Sequence, residues 1–179
     1  MPARHAFVLA VALAAIPPAL AHAKDGDDDS SHRVAIPAAG CSELPSAVGA
    51  PSARAGGAFT VGGGAAASLI CTFSTDELDR SPDDSPKPVT FRVGYLDSDG
   101  PGAALVAVEL VQTTLAADPD GFTDTAVCAW SSAAGGPVTG ATASFTCNGL
   151  VEGAFYHLRV GLGSTPGSAA SFVGAVAQR

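Results

Sequence analysis

Short stretches of the chain alternate apolar and polar residues, and Gly, Pro, Asp and Ser separate these stretches. In Pro88–Leu96, for example, Val89, Phe91, Val93 and Tyr95 share one face. Because successive side chains of a strand point to opposite faces, the pattern predicts antiparallel sheets with one buried side. We therefore predict an all-β, antiparallel β-sandwich of jelly-roll or immunoglobulin-like type, with about 8 strands and two disulfides. The candidate strands are Ala58–Val61, Ala67–Ser74, Pro88–Leu96, Ala104–Thr113, Thr123–Trp130, Ala141–Cys147, Ala154–Leu162 and Ser171–Ala177.

The stretch Ala154–Leu162 predicts a small binding patch. Alternate residues from Tyr156 to Leu162 are apolar and are expected to point inward. Phe155, His157 and Arg159 then share the outward face. Single exposed aromatic residues are common on protein surfaces, so an ordinary solvated strand face is the alternative interpretation.

The chain has four cysteines, Cys41, Cys71, Cys128 and Cys147, and no C-x-x-C motif. An even number in an exported chain favours disulfides over zinc ligands or a redox pair. Spacing alone allows three pairings. Strand periodicity favours Cys41 with Cys71, and Cys128 with Cys147.

We expect a hairpin to bring Cys128 opposite Cys147. Turn residues around Gly136 and Pro137 separate the two strands, and the fold-back would place Trp130 near Phe145. The two cysteines are so close in sequence that a bond between sheets is not expected. The immunoglobulin arrangement, in which such a bond joins distant cysteines, is therefore disfavoured.

The N-terminus predicts export. Residues 1–23 combine a short basic start, an apolar run and a small-residue site, which is typical of a signal peptide cleaved after Ala23. Residues 24–33 are expected to form an acidic flexible tail, and residues 34–179 a single β-sandwich domain. We predict a secreted or periplasmic location and no transmembrane segment.

Charge and motifs limit the chemistry. The net charge of −8 and the lack of a Lys/Arg cluster argue against nucleic acid as a partner. No cofactor motif is found, and no catalytic residues are assigned, because the chain lacks a G-x-S-x-G turn and His157 is the only histidine expected in the folded part.

Two D-x-D-G motifs offer a candidate calcium site. Asp97 and Asp99 belong to the first, and Asp118 and Asp120 to the second. Adjacent carboxylates beside a glycine supply the hard oxygens that calcium prefers, and neither motif continues as an EF-hand. Ordinary turns are the other interpretation, because Asp and Gly are common turn formers.

The order of segments resembles small exported bacterial β-sandwich proteins. The resemblance covers about Ala58 to Ala177 and rests on "SLICTF", "AALVAVELVQ", the cysteine segment, "AFYHLRVGL" and "FVGAVA". It implies a fold class and an envelope location, and no activity. We predict a non-catalytic protein that binds a protein partner or an envelope component. The alternative is an exported carboxylate-based hydrolase, with or without calcium dependence.

Overall fold

Eleven strands form two sheets in the part of the chain that the computed structural model describes. These residues are 33–45, 53–75, 78, 88–98, 105–115, 121–134, 138–148, 150–151 and 154–179. Two short 3-10 turns, Ala38–Gly40 and Ser132–Ala134, interrupt the strands. The strands are β1 (Arg33–Pro37), β2 (Ser42–Glu43), β3 (Ala53–Ala55), β4 (Ala58–Gly62), β5 (Ala66–Thr72), β6 (Val89–Asp97), β7 (Leu105–Leu115), β8 (Phe122–Ser131), β9 (Val138–Cys147), β10 (Phe155–Gly163) and β11 (Ala169–Gln178).

The strand order is that of a jelly roll. Sheet A has the order β3-β4-β11-β6-β9, with β1 also paired to β11, and sheet B has the order β2-β5-β10-β7-β8. All of the pairings are antiparallel. From β4 to β11 the chain changes sheet at every connection except the β7–β8 hairpin. The predicted antiparallel sandwich is confirmed, and this order selects the jelly roll from the two predicted types.

The eight predicted strands correspond to β4–β11, whereas β1–β3 were not predicted. These three are short, and each pairs with a longer strand: β1 with β11, β2 with β5, and β3 with β4. Arg33, the last residue of the predicted tail, begins β1. The rest of that tail and the predicted signal peptide lie outside the described residues.

The core lies between the two sheets, and it is formed by apolar residues that the alternation predicted to point inward. The inward residues of β6, β7 and β10 are buried, as expected from their spacing, except Tyr95 near the end of β6, which is half-buried. Phe59, Phe91 and Phe172 are the largest fully buried side chains, and smaller aliphatic residues fill the space around them. Aromatic contacts extend the core, since the Phe91 ring stacks on Phe145 at 5.3 Å between centroids. No helix among the described residues is long and apolar enough to cross a membrane.

The structure forms the two disulfides that the sequence favours, Cys41–Cys71 and Cys128–Cys147. The predicted hairpin between Cys128 and Cys147 is wrong, however. Strand β8 pairs with β7 in sheet B, and β9 pairs with β6 in sheet A. The second disulfide therefore joins the two sheets. Accordingly, Trp130 packs against Tyr95 at 4.9 Å and not against Phe145.

The short connection between β8 and β9 explains the error. Packed sheets lie about 10 Å apart, and an extended residue spans about 3.3 Å. Residues 132–137 are thus enough to cross from one sheet to the other. A small separation in sequence does not oppose a bond between sheets, and it was no reason to disfavour one.

Candidate binding face

The outer face of sheet B brings together the three residues of the predicted patch. Phe155, His157 and Arg159 follow one another on β10, which lies between β5 and β7 in the sheet. Phe155 is 63% exposed, whereas the other two are half-buried. Their outward direction agrees with the alternation in the sequence.

Two further apolar residues extend this patch at the same end. Phe155 lies opposite Thr113 of β7, and the outward residue after Thr113 is Leu115, which pairs with Phe122 of β8. Leu115 is 75% exposed and Phe122 is 69% exposed. Residues opposite each other in an antiparallel pair share a face, so all three apolar side chains point outward together. We call Phe155, Leu115 and Phe122 the apolar end.

Sequence reasoning missed Leu115 and Phe122 because the predicted strands stopped at Thr113 and began at Thr123. The available signal was the alternation itself. When the alternation in β7 is continued for two residues past Thr113, Leu115 lies on the outward face, which also carries Glu109 and Thr113. A group of large apolar residues on the exposed side of a sheet is informative, whereas a single one is not.

An ion-pair network lies next to the apolar end. The Arg159 guanidinium contacts Glu109 of β7 at 3.6 Å and Asp124 of β8 at 3.3 Å. The hydroxyl of Thr113 donates a hydrogen bond of 2.7 Å to the same Asp124 carboxylate. These partly exposed pairs each contribute less than about 1 kcal/mol to stability. Together they hold the guanidinium in one place across three strands.

His157 lies between the apolar end and this network. Its Nδ1 is 3.5 Å from the Thr113 hydroxyl oxygen, while its Nε2 is buried and has no hydrogen-bond partner among the described residues. Burial lowers the pKa of His157 below its ordinary value; the Asp124 carboxylate acts in the opposite direction, and the Arg159 guanidinium lowers it further. The lowered pKa favours the neutral form of the imidazole.

A cleft of about 450 Å³ opens beside Phe155, between β5 and β10. Its walls include Phe73, Thr72 and Thr113, so it combines an aromatic ring with two hydroxyl groups. Further along the face the outward positions carry small residues, among them Gly161 of β10 and Ala107 of β7, which are paired. Along the outer face of sheet B, the exposed apolar end is thus followed by the ion-pair network of Arg159 and then by positions with small side chains.

The first calcium motif occupies a different place. Asp97 ends β6 and is only 1% exposed. Its carboxylate accepts a 2.5 Å hydrogen bond from the Ser132 hydroxyl, whose oxygen in turn accepts a 2.9 Å hydrogen bond from the Val106 amide. Asp97 therefore supports the start of the β8–β9 crossing.

The other three residues of the predicted calcium site, Asp99, Asp118 and Asp120, lie outside the described residues. Among those that are described, no group of three or more His, Cys, Asp or Glu side chains is arranged to hold a metal ion. The calcium site stays a prediction.

Solved structures similar to this chain include three that cover most of its length. A variant of a family 29 carbohydrate-binding module has 11% sequence identity and a TM-score of 0.41, over 83% of this chain and 92% of that chain. The xylan-binding module CBM86 of Roseburia intestinalis has 15% identity and a TM-score of 0.41, over 82% and 94%. The CBM36-1 domain of a xylanase from the hindgut metagenome of Trinervitermes trinervoides has 10% identity and a TM-score of 0.42, over 81% and 95%. No family model matches the chain, and no curated protein does.

Proposed function

We propose that the chain is a non-catalytic, exported binding protein and that its ligand lies on the outer face of sheet B. The observation that carries this proposal is the apolar end, where Phe155, Leu115 and Phe122 are 63%, 75% and 69% exposed on one surface. Exposed apolar side chains grouped beside polar ones mark interaction sites more often than single ones do. Two disulfides suit a protein that works outside the cytosol, in agreement with the predicted signal peptide.

The chemistry of the face suits a hydroxyl-rich chain, such as a glycan of the cell envelope. Aromatic rings bury the C–H faces of sugar rings, and polar side chains bind the hydroxyl groups. From strand geometry, the Cα atoms of Phe155 and Phe122 are about 12 Å apart, since they are separated by two strands and two residues along them. Between them, the Thr113 hydroxyl and the Asp124 carboxylate supply donors and acceptors.

Binding without catalysis is favoured by the way the charged residues are used. Glu109 and Asp124 both contact the Arg159 guanidinium, so each acts as an ion-pair partner. A glycosidase needs one carboxyl group that carries a proton beside a second carboxylate. The exported carboxylate-based hydrolase remains the alternative, and it depends on Asp99, Asp118 and Asp120, which lie outside the described residues.

The test is binding to purified envelope polysaccharides by affinity electrophoresis. Phe155→Ala and Phe122→Ala should each weaken binding roughly two- to twelvefold, because an aromatic contact contributes about 0.5–1.5 kcal/mol beyond its buried area. Val151→Ala is the matched control, since Val151 is 60% exposed but lies in the loop before β10.

The possible outcomes test the proposed face and the proposed glycan ligand separately. Binding that weakens only in the two phenylalanine variants supports both parts of the proposal. If polysaccharides do not bind but a protein partner is captured in a Phe155-dependent way, the face is right and the glycan is wrong. If neither variant differs from the control with any captured ligand, the proposed face is wrong.

A further inference from the structure

A second groove, on the outer face of sheet A, has no role in the proposed function. It has a volume of about 490 Å³ and crosses the sheet between β1 and β9, over β11 and β6. Small-molecule sites usually measure about 300–1,000 Å³. The groove is therefore large enough for a small ligand.

Two paired glycines form the floor of this groove. Gly94 of β6 lies opposite Gly174 of β11, and Gly174 lies opposite Pro37 of β1. Gly174 has a φ of 147°, and a Cβ there would lie 2.8 Å from the Ile36 carbonyl oxygen, so no side chain fits. A Cβ on Gly94 would lie 3.3 Å from the Cβ of Val173. Because neither glycine has a side chain and the backbones pack closely, the floor of the groove is formed by the backbone itself.

Aliphatic side chains form the walls. The register of β11 against β6 shifts between Phe172 and Gly174, and Val173 at this shift is 54% exposed. Val176 and Ala35 are paired in the adjacent row and also line the groove. No aromatic residue belongs to the described lining, so the groove offers aliphatic contacts without a stacking ring.

Two arginines also line the groove, beside its aliphatic walls. Arg92 of β6 is opposite Val176, and Arg33 of β1 is opposite Gln178, one row further along. Strand geometry places their Cα atoms about 12 Å apart, within reach of one ligand for two such long side chains. Both are exposed and both line the groove.

No carboxylate among the described residues pairs with either of these guanidinium groups, whereas Arg159 contacts Glu109 and Asp124. The chain has a formal net charge of −8, so two arginines that line one groove without a described carboxylate partner are unusual for so acidic a chain. A guanidinium binds a carboxylate through parallel hydrogen bonds, and such charge-assisted bonds are the stronger ones.

We propose that this groove binds an amphiphilic carboxylic acid. The aliphatic body of the ligand lies along Val173, Val176 and Ala35, above the two glycines. Its carboxylate binds Arg92, and Arg33 adds a second positive charge. The site is independent of the binding face on sheet B, because the two surfaces are on opposite sides of the sandwich.

The experiment compares decanoate with 1-decanol, which has the same chain length and no charge, by NMR titration of the protein below the aggregation limit of each probe. Decanoate should shift the amide signals of Gly94, Val173 and Val176, and should bind roughly tenfold more tightly than decanol, since hydrogen bonds between charged groups are stronger than those of a neutral hydroxyl group. A tenfold difference corresponds to about 1.4 kcal/mol. Arg92→Gln should remove most of this preference, and Arg33→Gln a smaller part of it. Both residues are exposed, so the variants should fold.

Arg159→Gln is the matched control, because it removes a guanidinium from the other sheet and should leave decanoate binding unchanged. Equal binding of decanoate and decanol would overturn the proposal, as would decanoate binding that Arg92→Gln leaves intact. The proposal would also be overturned if millimolar decanoate shifted none of the amide signals of the groove residues. A negative result here would not bear on the proposed binding face of sheet B, since that face is tested with different variants and a different ligand.

Discussion

Cys128 and Cys147 lie on different sheets and are joined by a disulfide, with their Cα atoms 5.6 Å apart. Cys128 belongs to β8, the last strand of sheet B, and Cys147 belongs to β9, the last strand of sheet A. The bond therefore closes one side of the sandwich, where neither strand pairs with a further strand among the described residues. It holds together the two strands that the crossing at residues 132–137 connects.

Removing this bond should loosen that side of the molecule. In the chain-entropy account, closing a loop with a sequence separation of 19 contributes about 3 kcal/mol. We expect Cys128→Ala/Cys147→Ala to lose about that much free energy of unfolding in urea, and to raise hydrogen exchange mainly in β8 and β9. The matched double variant Cys41→Ala/Cys71→Ala should lose about 3–4 kcal/mol and raise exchange around β5 instead. Equal exchange in β8 and β9 in the two double variants would contradict this account.

The contact between Ser132 and Asp97 predicts a second effect on stability. Ser132→Ala removes one hydrogen-bond donor to the buried Asp97 carboxylate and the hydroxyl acceptor of the Val106 amide. A buried amide that loses its acceptor costs about 1–3 kcal/mol, so we expect a loss of that size in denaturant unfolding. Ser131→Ala is the control, because Ser131 is an exposed neighbour. Similar unfolding midpoints for the two variants would mean that the buried contact contributes nothing.

The close approach of β1 to β11 predicts that Gly174 tolerates no side chain. Gly174→Ala forces a non-glycine residue to a φ of 147° and places its Cβ 2.8 Å from the Ile36 carbonyl oxygen. Such backbone strain costs about 1–3 kcal/mol before the clash is counted, and it should lower the melting temperature clearly. Gly161→Ala, whose Cβ would lie 3.9 Å from that of Ala107, should change stability by less than about 0.5 kcal/mol. A Gly174→Ala variant as stable as Gly161→Ala would disprove the close approach.

His157 predicts a pH dependence of stability. Its folded-state pKa is lowered from the ordinary value of 6.5, chiefly by burial. The unfolded chain therefore binds a proton at this residue more readily than the folded chain does, and stability falls as the pH drops below about 7 toward the folded pKa. Over the same pH range, the free energy of unfolding of His157→Gln should fall less than that of the parent protein. NMR titration of the imidazole checks the cause directly, and a pKa at or above 6.5 would refute it.

Much of the fold could be predicted from the alternation of residues, and the candidate face only in part. The eight strands of the jelly roll were found because their inward residues are apolar at every second position. The short strands β1–β3 carry no such pattern and form because a longer neighbour offers free backbone groups. Phe155, His157 and Arg159 were placed correctly on one face, but Leu115 and Phe122 were missed because strand ends have the weakest pattern.

The sequence by itself determined the central residues of β4–β11 and which side of these strands faces the core, because side-chain direction along a strand is a local property with a period of two. Tertiary structure decided which strands pair. Whether β9 folds back on β8 or crosses to β6 depends on competing backbone pairings and on the packing of the whole core, and these involve residues far apart in the chain. The inter-sheet position of Cys128–Cys147, the apolar end and the groove beside Arg92 all follow from that choice.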